Sequence, residues 1–133
     1  MKKYIILIPI YNDREILTKL IENINSEIEN INSEISVVVV NDASSQQIID
    51  EYQNTENINS IEILNMKENR GHARCIATGL KYIFEKKEFD YVIPMDGDGE
   101  DRPEEIQNFI QLAEQSINQS IIGNRVKLSL IHI

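Results

Sequence analysis

Four carboxylates fall within six positions of the stretch YVIPMDGDGEDRP (91–103): Asp96, Asp98, Glu100 and Asp101. At about 4 Å two like charges repel by roughly 1 kcal/mol in water and by about 4 kcal/mol at the effective dielectric of a protein surface. Such a cluster calls for a cation, a partner or full solvation. Asp96 and Asp98 are two residues apart, so an extended backbone puts both side chains on one side, and the interleaved Gly97 and Gly99 let a ligand approach closely. Their hard oxygens suit a divalent cation. Magnesium is usually held by one or two carboxylates plus the phosphates of a substrate, which would let an acidic protein bind a diphosphate. Glu100 and Asp101 have a structural reading instead: they precede Pro103, a favoured first helical position, and would favour the positive start of a helix there.

That offset is needed, because the chain carries a formal net charge of −9. This balance argues against nucleic acid as the main partner. A phosphate-bearing ligand requires a metal, or a local group of Arg and main-chain N–H donors. At 133 residues the chain fits one domain, large enough to hide roughly two thirds of its unfolded surface. Cys75 is the single cysteine, which excludes an internal disulfide and fits a reducing, cytoplasmic setting. The opening MKKYIILIPIYND lacks a small-residue cleavage site and is read as a buried first strand. No stretch approaches the roughly 20 apolar residues of a membrane helix.

Strand patterns recur at 4–10, 35–40, 61–64, 91–95 and 120–123, each nearly continuously apolar. Such runs suit strands covered on both faces. Between them run helical patterns. Ile16, Leu17, Leu20, Ile21, Ile24 and Ile28 make one apolar stripe, and Ala73, Ile76, Ala77, Leu80, Ile83 and Phe84 another. A weaker helix is predicted over 45–53, and a fourth opens at Pro103 with Ile106, Phe109, Ile110 and Ala113 on one face. The alternation predicts an α/β fold: a mainly parallel, Rossmann-like sheet with right-handed crossovers and helices on both faces. A tandem ENINSEI at 22–35, echoed at 56–60, is too short for a solenoid or coiled coil. It is assigned no function.

In open parallel sheets, ligands bind beyond the carboxyl ends of the strands, where strand order reverses. Polar groups gather at those ends: PIYND, VNDASS, NMKENRGH, MDGDGED and GNR. Each has an ordinary reading. Asn12 or Asp13 would cap the first helix, Asp42 or Ser44 the second, and Asn69 with Gly71 would form a turn. Arg70, His72, Arg74 and Arg125 lie near the same edge and would offset phosphate charge, although any one of them is more often a solvated surface residue.

The blocks IPIYNDREIL, VVVVNDASS, NRGHARCIATGLKYI, YVIPMDGDGEDRPEEI and IIGNR together resemble the amino-terminal half of glycosyltransferase family 2, inverting enzymes of the GT-A fold. One Asp-x-Asp alone is common, but five blocks in order across nearly the whole chain are specific. The resemblance is greatest to members that transfer sugars to polyprenyl phosphates. It implies a nucleotide-diphosphate sugar donor and Mg2+ or Mn2+ as cofactor. Pro9, Tyr11 and Asn12 would lie against the nucleoside, Asp42 would hydrogen-bond the base, and Asn69 and Gly71 would flank the donor. Asp96 and Asp98 would form the catalytic Asp-x-Asp pair, with Asp98 on the metal and Asp96 at the ribose or metal shell. The usual DDGS stands here as Asn41, Asp42, Ala43 and Ser44, so its first Asp and its Gly are replaced.

The resemblance also places the catalytic base in an acceptor-binding half, so none is named here, and residues 1–133 are read as a truncated donor domain. The acceptor would be a polyprenyl phosphate or a saccharide. Peripheral membrane association, at the cytoplasmic face, would come through the remaining part. A non-catalytic nucleotide-sugar-binding fragment is the alternative. A dehalogenase-like phosphatase fits less well, since its Asp-x-Asp ends the opening strand. An EF-hand wants Gly at Asp101 and a bidentate Glu at Gln107.

Overall fold

In the computed structural model, residues 2–12, 14–45, 52, 54–96, 105–115, 121–122 and 129–132 are described. Their order is β1 (Lys3–Ile10), α1 (Arg14–Glu27), β2 (Glu34–Asn41), β3 (Ser60–Asn65), α2 (His72–Lys86), β4 (Tyr91–Pro94), α3 (Ile106–Gln115), β5 (Ile121–Ile122) and β6 (Ser129–His132). The strands form one sheet in the order β3-β2-β1-β4-β6-β5. β3, β2, β1 and β4 are parallel, and β6 runs antiparallel to β4 and β5. The expected mainly parallel α/β sheet is therefore present. The antiparallel β6 was not expected.

β1 is central because it is apolar on both faces. Tyr4, Ile6, Ile8 and Ile10 join Val37, Val39, Tyr91 and Ile93 under α1 and α3, whereas Ile5 and Leu7 join Val38, Val40 and Val92 under α2. Two-residue alternation along each strand thus feeds two cores, one per face. α1 closes the first with Leu17, Leu20, Ile21 and Ile24, and α3 with Ile106, Phe109, Ile110 and Ala113. Ile16, expected on that stripe, is 37% exposed.

The second helix is rotated from expectation. It buries Cys75, Gly79 and Ile83 and leaves Ala73, Ala77 and Phe84 exposed. Small size decides this: a Cβ on Gly79 would overlap a Leu7 methyl and lie 3.0 Å from Val40 Cγ2. Only a glycine lets α2 lie so close to the sheet. The repeat copies serve different roles, the first ending α1 and the third preceding β3. They meet where Asn57 N–H donates to Asn25 Oδ1 at 2.7 Å.

The chain steps from β1 to β2 to β3, then crosses back over the sheet through α2 to β4 on the other side of β1. Strand order therefore reverses between β1 and β4. Pairing of these two ends at Leu7 with Pro94, after which the Met95 N–H reaches the Leu7 carbonyl at 2.8 Å. By alternation, residue 9 also faces β4, and Pro9 has no N–H to offer it. The strands part there, at the place where α/β sheets bind ligands.

Candidate functional site

Asp42 follows the last residue of β2, and its N–H extends the ladder to the Ile10 carbonyl at 2.9 Å. Its side chain is only 5% exposed. Burial of a charge demands donors, and the turn between β3 and α2 supplies them. The Arg70 N–H donates to Asp42 Oδ1 at 2.7 Å and the Gly71 N–H to Oδ2 at 2.9 Å. Gly71 sits at φ +90°, where a side chain would be strained. Cys75, one helical turn later, is fully buried, and its N–H closes that turn on the Gly71 carbonyl at 3.1 Å. Burial, and then the neighbouring Asp42 carboxylate, push its thiol up to about 11.

A second polar network joins the ends of β1, β2 and β3. Asn41 Nδ2 donates to Asn65 Oδ1 at 3.0 Å, while Asn41 Oδ1 accepts from the Ser44 N–H and hydroxyl. Ser44 Oγ in turn accepts the Asn12 N–H at 2.9 Å, and Asn12 Oδ1 accepts the Ser45 N–H at 2.7 Å. Asn12 and Ala43 both sit at φ +57°. Asn tolerates the left-handed region, but Ala does so at a cost of roughly 1 kcal/mol. Ala43 occupies the position at which the family motif has Gly.

Asp96 follows β4 by two residues and is 18% exposed; its Oδ1 lies 3.2 Å from His72 Nε2. His72 opens α2, so the turn held by Asp42 leads directly to the group that holds Asp96. Tyr11 follows the last residue of β1 and is 49% exposed. Pro9, Tyr11, Asn12, Asp42, Asn69, Gly71 and Asp96 are thus all carried by the carboxyl ends of β1–β4 or the turns after them. Asp98, Glu100, Asp101, Pro103, Arg125 and nearly all of the predicted 45–53 helix lie outside the described residues. Among the described residues no three His, Cys, Asp or Glu side chains converge as a metal site. Sequence reasoning assigned Cys75 no place here. Its only signal was the i, i+4 spacing from Gly71.

The model of "Glycosyl transferase family 2" matches residues 5–129. The chain belongs to glycosyl transferase family 2. Within this family, the undecaprenyl-phosphate 4-deoxy-4-formamido-L-arabinose transferase of Photorhabdus laumondii is 31% identical over 129 residues, 94% of this chain and 37% of that protein. The chain spans about half the length, or less, of the curated relatives it matches. Among solved structures, S. aureus TarS 1-349 in complex with UDP-GlcNAc superposes with a TM-score of 0.64 at 22% identity, covering 85% of this chain and 31% of that one. The Pyrobaculum calidifontis mannosyltransferase in complex with GDP-Man and Mn2+ gives 0.53 at 22% identity, covering 73% and 28%. At such identities the structures establish the shared GT-A, Rossmann-like fold. No helix among the described residues of this family 2 chain is long and apolar enough to cross a membrane.

Proposed function

We propose that residues 1–133 form the donor-binding domain of an inverting glycosyltransferase that takes a sugar from a nucleotide-diphosphate sugar. The observation that carries this is the meeting of the Asp42-anchored turn and Asp96 beside the point where strand order reverses. Pro9, Tyr11 and Asn12 would lie along the nucleoside. An ionised carboxylate has about four lone-pair sites; two on Asp42 accept from the Arg70 and Gly71 N–H groups, which leaves room for a base N–H. Asn69 and Gly71 would border the donor.

Asp98, with Asp96, would hold Mg2+ or Mn2+, a Lewis acid for the departing diphosphate. The Mn2+ in the mannosyltransferase complex supports that choice of ion. The family relative named for undecaprenyl phosphate favours a polyprenyl phosphate acceptor at the cytoplasmic face of a membrane, with a saccharide as the other acceptor class. A phosphate monoester has a second pKa of about 6 and attacks as a dianion without a protein base.

Calorimetric titration of UDP-, GDP- and CDP-sugars with Mn2+ tests the proposal. Asp98→Ala should abolish metal-dependent binding; unchanged binding in that variant would refute the site. Binding without sugar transfer would assign the chain donor binding alone.

A further inference from the structure

Asn41 closes β2 and is only 7% exposed, yet its polar atoms reach the ends of β1 and β3 as well as its own turn. Its carbonyl accepts the Met66 N–H at 2.8 Å and its Nδ2 donates to Asn65 Oδ1 at 3.0 Å, both at the end of β3. Its Oδ1 accepts the Ser44 N–H at 3.1 Å and the Ser44 hydroxyl. The Ser44 oxygen in turn accepts the Asn12 N–H at 2.9 Å, just past β1. One hydroxyl therefore relays between the ends of β1 and β2. Asn12 reinforces the link with its Oδ1, which accepts the Ser45 N–H at 2.7 Å and hydroxyl at 3.1 Å.

We propose that Asn41 is a positioning residue for the nucleoside side of the donor site: through Ser44 it fixes Asn12, and with it Tyr11, as one body with the ends of β2 and β3. The functional part rests on the donor-binding reading above.

Three features favour this. An amide gives and accepts at once, so Asn41 serves Asn65 and Ser44 together without adding a charge beside Asp42. The Ser44 N–H also fixes which end of the Asn41 side chain is oxygen, and so turns its NH2 to Asn65. Next, Asn12 and Ala43, which the network spans, both hold φ +57°. Non-glycine residues keep such conformations where their surroundings over-determine them, and they gather at ligand sites. Finally, the Asn12 oxygen is engaged by Ser45, whereas the adjoining Tyr11 is 49% exposed. The network thus holds one residue so that the next faces outward.

UDP, GDP, CDP and inorganic pyrophosphate, each with Mn2+, are titrated into the wild type, Asn41→Ala, Ser44→Ala and Asn41→Asp at a temperature where circular dichroism shows every variant folded. Asn41→Ala and Ser44→Ala should each weaken the best-bound nucleotide about three- to tenfold, as the loss of one hydrogen bond predicts, and leave pyrophosphate unchanged. Asn41→Asp should restore most of the nucleotide affinity, since one carboxylate oxygen keeps Ser44 and the Asn65 amide can turn over to donate to the other. Adding Asn65→Asp to Asn41→Asp makes two carboxylates meet and should remove that rescue. Nucleotide affinities unaltered in Asn41→Ala and Ser44→Ala, a loss shared equally by pyrophosphate, or a rescue indifferent to Asn65→Asp overturns the proposal while the donor reading stands. A wild type that binds none of the three nucleotides overturns the donor reading and this inference with it.

Discussion

Asp42→Asn separates a carboxylate that builds the site from one that only reads a ligand. The substitution preserves shape but leaves one acceptor oxygen for two N–H groups held at 2.7 and 2.9 Å, so one of them faces an amide NH2. Charge-assisted hydrogen bonds contribute about 1.5–3 kcal/mol each and neutral ones about 1 kcal/mol. Exchanging two of the first kind for one of the second costs about 2–5 kcal/mol gross. Water recovers part of it, because Arg70 is exposed and Gly71 half-buried. A net loss of about 2 kcal/mol remains, which in a domain of this size lowers Tm by roughly 6–10 °C. Urea unfolding followed by circular dichroism should show a lower midpoint with an unchanged slope. Amide exchange at Arg70 and Gly71 should accelerate alongside. A midpoint equal to or above that of the wild type would refute the structural role and restrict Asp42 to ligand contact.

Other positions yield sharper local tests. Ala43→Gly relieves a left-handed backbone at φ +57° and should stabilise by about 0.5–1 kcal/mol, read as a higher urea midpoint. Gly79→Ala should cost about 1 kcal/mol net, since overpacking against Leu7 and Val40 outweighs the gain of roughly 1 kcal/mol in helix propensity; thermal melts would detect it. The raised Cys75 thiol binds its proton more tightly folded than unfolded. Its contribution is therefore complete below pH 9 and is lost as pH rises towards about 11. Cys75→Ser should flatten that part of the stability–pH curve relative to the wild type.

Much of the fold was legible because the strands are buried on both faces. Runs such as IILIPI and VVVV fit little else, and their alternation with helical stripes implied parallel order. β6 was missed because Ser-Leu-Ile-His carries no pattern of its own; only its pairing with Tyr91 and Val92 makes it a strand. The face of α2 was misjudged since Ala73 and Ala77 fit either side, whereas the close approach at Gly79 depends on the sheet beneath. At the site, the gathering of Asn12, Asp42, Gly71 and Asp96 followed from topology alone. The partners of Asp42 did not, because N–H groups 28 and 29 positions away meet it only after the sheet forms.

The parallel register also sets a timetable for synthesis. β1 is made first, yet Tyr4 pairs with Tyr91, so its second neighbour is absent until that segment leaves the ribosome. At roughly 5–20 residues per second the wait is about 4–17 s. During it, one edge of an almost wholly apolar strand has no native neighbour, the condition in which strands pair with other chains. The same central placement that brings the proposed donor-site residues together therefore leaves the nascent chain open to mispairing until β4 is made.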